Sequence, residues 1–256
     1  MRNALTIAGK ELQGYFVQPV AYVVMTVFMV LGGWFFFALL SRFNLLLQMY
    51  SAAQNGAAER FNLNQMVIEP LLHNLAIVLV ILVPAITMRS FAEEKRTGTY
   101  ELLLTVPVRT AEIVAGKFIG AAAFVLIMIA LAGIFPLILA MFGNPELGVI
   151  GAGYLGMAFL AVSFVAVGLF TSSLTQNQII AAITCFGGLL LLYVISWPAD
   201  VGNTAFAPLL RYLSLPEHFS QMVSGIIDTS DIVYFLSVIL VALFLTQRAV
   251  ESARWR

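Results

Sequence analysis

Apolar and polar positions along the chain alternate in long blocks rather than residue by residue. Runs of about 20 apolar residues, the length a helix needs to cross a hydrocarbon core about 30 Å thick, occur about six times. The first is Val20 to Leu40, the second Leu71 to Met88, and the third Ile113 to Phe142. The fourth is Val149 to Phe170, the fifth Ile179 to Trp197, and the sixth Ile232 to Thr246, the shortest. Backbone groups in lipid must be satisfied within their own segment, so each run reads as a helix. The expectation is an all-α membrane protein, residues 1–256 forming a single transmembrane domain. The first run is too long and too bulky at Trp34 to Phe37 for a cleaved signal, so it reads as a retained anchor.

Between the blocks lie four segments with patterns of their own. In residues 1–19, Leu5, Ala8, Leu12, Tyr15 and Phe16 recur at helical spacing, with Arg2, Lys10, Gln13 and Gly14 elsewhere. This predicts an amphipathic helix in the membrane interface, ended by Pro19. Residues 41–70 read as a partly apolar external loop. Residues 198–231 are too apolar for a solvated loop and predict a short re-entrant or interfacial helical pair. Residues 89–112 carry the one dense cluster of charge, Arg89-Ser-Phe-Ala-Glu-Glu-Lys-Arg-Thr-Gly-Thr-Tyr-Glu101.

Composition sharpens the picture. Hydrophobic residues make up 61% of the chain and charged residues 10%, with a mean hydropathy of +0.96. That is more apolar than soluble domains, at about 45–50%. The 13 basic and 13 acidic residues cancel, which gives no affinity for nucleic acid. With the N-terminus cytoplasmic, ten Lys and Arg (2, 10, 89, 95, 96, 109, 117, 248, 254, 256) fall inside and three (42, 60, 211) outside. The positive-inside rule therefore puts both termini and the charged segment in the cytoplasm.

No strongly charged residue falls at mid-span, which argues against ion-coupled transport. Asn74, Thr87, Ser163 and Thr184 are the few polar candidates there. His73 and His218 lack ligand spacing, so no metal site is expected; Cys185 reads as a small buried residue. Gly116-Lys117 is followed by Phe118 and has no upstream phosphate-loop glycine, so ATP is not bound that way. No catalytic residue and no cofactor site are expected in this chain. Ala152-xxx-Gly156 puts small residues on one face of the fourth span, where backbones can approach closely. Pro84 and Pro136 should each free a carbonyl and kink their helices. Phe28, Trp34 to Phe37, Phe124 and Phe135 either pack, face lipid or line an apolar path.

Thr87-Met-Arg-Ser-Phe-Ala-Glu-Glu-Lys-Arg-Thr-Gly-Thr-Tyr-Glu-Leu-Leu-Leu-Thr-Val-Pro-Val108, with Glu112-Ile-Val-Ala-Gly-Lys-Phe118, resembles the signature of type 2 ABC exporter permeases. Lys10-Glu-Leu12 before an aromatic pair and Pro19, and Ser172-Ser-Leu-Thr-x-Asn-Gln178, agree with it. The tail from Gly225 through Asp228, Asp231 and Tyr234 to Phe235 is similar to the gliding-motility and copper-enzyme-maturation branch. The resemblance implies a transmembrane subunit in a bacterial inner membrane. It implies a second permease subunit, identical or homologous, two nucleotide-binding subunits holding ATP and Mg, and possible periplasmic or membrane accessory proteins. It also implies that the segment after the second span is a coupling helix touching the ATPase through Glu93, Glu94, Lys95, Arg96, Thr97, Gly98, Tyr100, Glu101 and Leu102. Lys10, Glu11, Leu12, Tyr15 and Phe16 then belong to the interface helix.

The residues supply reasons of their own for that contact. Both signs of charge favour a register-specific protein contact over lipid. Thr97-Gly98 can break the helix, Pro107 can stop the segment, and Thr110 with Glu112 can cap the third span. The rival class is a channel or secondary carrier working alone, which would move solute without ATP.

Overall fold

The computed structural model describes residues 2–52, 62–99, 108–198 and 206–253, and every regular element among them is helical. Helix α1 spans Arg2–Val17 and α2 Pro19–Ala52, with a bend at Gln18 where proline begins the second helix. A π-helical turn at Asn64–Ile68 leads into α3, Glu69–Thr87, and α4 follows at Arg89–Thr97. The third apolar block holds α5, Thr110–Ala132, and α6, Ile134–Phe142. Then come α7, Leu147–Leu174, and α8, Gln178–Val194. Two short helices, α9 at Ala207–Leu213 and α10 at Leu215–Val223, precede α11 at Thr229–Ala253.

Among the described residues, five stretches are long and apolar enough to cross a membrane: Pro19–Met49, Asn64–Thr97, Thr110–Phe142, Leu147–Leu174 and Thr229–Ser252. The remaining expected span, α8, has 17 residues, about 25 Å at 1.5 Å per residue. It is α8, not the last span, that is shortest. Polar Thr229 to Asp231 and Gln247 to Ser252 extend α11 at both ends, whereas Pro198 follows close behind α8. The expected external loop 41–70 also shrinks. Helix α2 runs on to Ala52 because its apolar spacing persists, burying Phe43, and helical structure resumes by Asn64.

Helix α7 is the centre of the bundle, packing against α3, α4, α5, α8, α10 and α11. Its small residues admit large neighbours. A methyl group added at Gly153 would meet Leu72, one at Gly156 would meet Met222, and one at Gly168 would meet Thr87. The Ala152–Gly156 face is therefore occupied within this chain, by α3 and α10. Helix α2 lies at the edge, and Trp34 and Phe37 are exposed while Phe28 and Phe36 are buried. In lipid such packing, not water exclusion, holds helices together.

The third span breaks where proline demands. Pro136 has no N–H for the Ala132 carbonyl four residues back, and the helix turns at Gly133. Tyr154 of α7 donates its hydroxyl to that freed carbonyl at 2.8 Å. Pro84 lies within α3, which continues to Thr87 and then turns at Met88. Thr87 and Ser163 satisfy their hydroxyls on carbonyls of their own helices, Val83 and Phe159. Asn177 caps α8, accepting from the Ile179 and Ile180 amides at 2.9 and 3.4 Å.

At the end of the bundle opposite α4, α10 buries Leu215, Phe219, Met222 and Val223 against α7. A pair that spacing gave no sign of locks it there. His218 lies 2.7 Å from Asp231 through Nδ1 and 3.0 Å from the Tyr212 carbonyl through Nε2. Asp231 is 1% exposed, and the His218 ring stacks on Tyr234 with centroids 4.0 Å apart.

Candidate functional site

Helices α1, α4 and the start of α5 meet at one end of the bundle. The stretch Asn64–Thr97 holds 34 residues, about 51 Å of helix against about 30 Å of hydrocarbon. The charged α4 is the part that outruns a bilayer. Its first amides have no carbonyl in their own helix. Ser172 of α7 fills the gap from outside: its Oγ accepts from the amides of Phe91 and Ala92 at 3.1 and 3.2 Å and donates to the Met88 carbonyl at 3.0 Å. Lys95 donates to the Ser173 carbonyl. Ser90, Phe91 and Ala92 are buried, while Arg96, Thr97, Gly98 and Thr99 are exposed. Gly98 takes φ +74°, the left-handed region that glycine enters without strain, and ends the helix there. Tyr100, Glu101, Leu102 and Pro107 lie outside the described residues.

The third span starts with Thr110 as its first helical residue, and the capping position belongs to Arg109. The expected Thr110 cap is not formed: extended backbone at Arg109 already turns the chain into the helix, and no side chain caps it. Glu112 does lie in the first turn, where its charge suits the helix dipole, and it accepts from Asn3 of α1 at 3.3 Å.

Helix α1 docks along α5 through small residues. A Cβ on Gly116 would lie 2.7 Å from Ile7 and 2.8 Å from the Ala4 carbonyl; one on Gly120 would lie 2.7 Å from the Glu11 Cβ. Ala4 and Ala8 are buried on this face, whereas Leu5, placed by spacing on the apolar face, is 64% exposed. The packed face is set by where the backbones approach most closely, and that selects alanine over leucine. Tyr15 stacks on Phe124, centroids 5.0 Å apart, and Phe16 meets the same ring edge-on. Burial pushes the Tyr15 hydroxyl up to about 12, so it stays neutral. Leu12 packs partly buried against the core, and Lys10 is exposed.

Lys117 ties the three helices together. It is 2% exposed, and its Nζ donates to Glu11 Oε1 of α1 at 2.6 Å and to Glu94 Oε1 of α4 at 2.7 Å. It also stands 5.3 Å from the centre of the Phe91 ring. An ammonium this buried needs paired acids, and two different helices supply them. Burial raises the Glu94 carboxyl above the usual carboxylate range, against the opposing pull of Lys117. Arg89 adds a further link, donating to Gln18 at 2.8 Å. Of the charged residues assigned to the partner contact, Glu94 and Lys95 are therefore engaged inside the subunit, while Glu93 is half-buried and Arg96 points outward. Sequence reasoning saw Lys117 only as a cytoplasmic charge and one half of Gly-Lys. The sign available was Gly116-x-x-x-Gly120, a close-approach spacing that carries a lysine inside it.

Among the described residues no group of three or more His, Cys, Asp and Glu is arranged to hold a metal ion. No curated protein matches the chain. The description ABC-2 family transporter protein matches residues 5–250, nearly the whole length, and the chain belongs to that family of multi-pass membrane proteins.

Proposed function

We propose that this chain is the transmembrane subunit of an ATP-driven transporter of the exporter type. It forms a path with a second permease subunit, identical or homologous. Separate ATPase subunits, which bring ATP and Mg, dock on α4 and the residues that follow it. The chain lies in a bacterial inner membrane with both termini and α4 cytoplasmic, as its lysine and arginine distribution favours. The tail motif supports the gliding-motility and copper-enzyme-maturation branch. The observation that carries the reading is the buried Lys117 shared by Glu94 and Glu11. These two ion pairs link α4 to α5 and α1, and in this reading they carry force applied to α4 into the spans.

The test is co-purification of the neighbouring ATPase with the paired reversal Glu93→Lys and Arg96→Glu, alongside Glu101→Lys. These residues carry the contact, so the ATPase is expected to be lost while the permease still inserts. Full retention of an active ATPase by all variants would sink the docking site.

A further inference from the structure

The junction of α1, α4 and α5 forms a half-open cavity of about 230 Å³. Its charged lining is balanced: Lys10, Arg89 and Lys117 against Glu11, Glu93 and Glu94. Lys117 is spent on Glu11 and Glu94. What remains is the two cations Lys10 and Arg89 facing Glu93 and the second oxygen of Glu94. Among the described residues, Arg89 Nε and Glu94 Oε2 are buried without a hydrogen-bond partner. Leaving such atoms unsatisfied is costly. Lys10 and Glu93 line the same cavity beside them.

A second feature adjoins the first. Gln18 lies on the cavity wall, and the helical turn of α2 effectively begins there, with the Ala21 amide donating to its carbonyl. One turn on starts a shallow, largely open groove along α2 alone, bordered by Tyr22, Met25, Thr26, Met29 and Val30. Positions 18, 22, 25/26 and 29/30 share one helical face. The groove therefore rises from the rim of the polar cavity along the lipid-facing side of α2, where Tyr22 and Val30 are exposed.

We infer that this corner binds one glycerophospholipid with a primary-ammonium headgroup, phosphoethanolamine. Its phosphate meets Lys10 and Arg89 Nε, its ammonium meets Glu93 and Glu94 Oε2, and an acyl chain follows the groove from Tyr22 to Val30. The charge pattern selects this headgroup. An anionic glycerol headgroup brings no cation for the two glutamates. A choline headgroup has no N–H to give Glu94 Oε2. Nothing in this requires an ATPase on α4, so its failure leaves the proposed function standing.

The test is native mass spectrometry of the delipidated full chain, titrated separately with phosphatidylethanolamine, phosphatidylcholine and phosphatidylglycerol of matched chains. One phosphatidylethanolamine should be retained on the order of tenfold more tightly than the other two, as expected for two charge-assisted hydrogen bonds. Glu93→Gln should remove most of that preference, whereas Arg89→Gln, which loses the phosphate contact, and Met29→Trp, which fills the groove, should each weaken all three lipids alike. Equal retention of the three lipids by the wild-type chain overturns the site, and that comparison needs no variant to fold. A preference unchanged in Glu93→Gln, or binding of all three lipids unchanged in Arg89→Gln, also overturns it. Free phosphoethanolamine competing as well as the lipid overturns the groove.

Discussion

Replacing Lys117 with Met removes the one cation between two acids and keeps a side chain of similar length. The attraction lost is large in gross terms: at 2.6 and 2.7 Å each pair is worth about 6 kcal/mol at an effective dielectric near 20. Against it stands the desolvation of an ammonium only 2% exposed, which costs several kcal/mol. The net value of the intact triad is therefore modest, but K117M alone does not return the protein to neutrality. It leaves Glu11 and Glu94 facing each other, each side chain a quarter exposed. A stranded buried charge costs about 3–5 kcal/mol, and this partial exposure brings the expected loss to about 2–3 kcal/mol. Adding Glu11→Gln and Glu94→Gln removes both stranded charges, and the triple variant should lie within about 1 kcal/mol of wild type. The assay is thermal unfolding in lipid nanodiscs followed by tryptophan fluorescence, with ATP hydrolysis by the assembled complex measured in parallel. Stability should fall in K117M and return in the triple variant, while hydrolysis stays uncoupled in both because the tie between α4 and α1 is gone. If the triple variant is no more stable than K117M, Lys117 is not the shared counterion and the transmission route is wrong.

Tyr154→Phe should cost about 1–2 kcal/mol through the orphaned Ala132 carbonyl. The cost should vanish in a Pro136→Ala background, where an amide reclaims that carbonyl; equal melting shifts in both backgrounds would refute the pairing. His218→Ala strands Asp231, whose Oδ2 already lacks a partner. A loss of about 3–5 kcal/mol is expected, partly recovered by adding Asp231→Ala, and thermal melting of the three chains measures it. Glu94 predicts a pH trend of definite sign. Its carboxyl is raised from 4.5 in the folded chain, so the folded state holds a proton at pH values where the unfolded chain has released it. The contribution is full below the unfolded value and lost as pH rises through the raised one. Acidification from neutral should therefore raise the melting temperature of wild type relative to Glu94→Gln, and parallel curves would contradict it.

What the chain displays and what it hides follow from one distinction. Solvent preference is local and additive, so block length was enough to mark the long apolar helices, and helical spacing the separate helix before them. Proline chemistry is equally local, and Pro136 announced the break at Gly133 before its rescue by Tyr154 could be known. Partnerships are not local. Lys117 lies 106 residues from Glu11 and 23 from Glu94, and no periodicity joins them. The same holds for His218 and Asp231, which spacing left as unrelated polar residues on either side of a turn. Leu5 shows the limit within a single helix. Spacing set Leu5 and Ala8 on one apolar face, yet α5 presents Gly116 and Gly120, and that glycine groove takes Ala8 and Ala4 while Leu5 stays exposed. In a chain surrounded by lipid, an apolar side chain has little to gain by turning inward. Which face packs is decided by how closely two backbones can approach, and which charges can be buried is decided by what that approach brings together. The charge of α4 was readable in the sequence; that Arg89, Glu94 and Lys95 are spent holding the subunit together, while Arg96 is exposed, is a property of the packed helices alone.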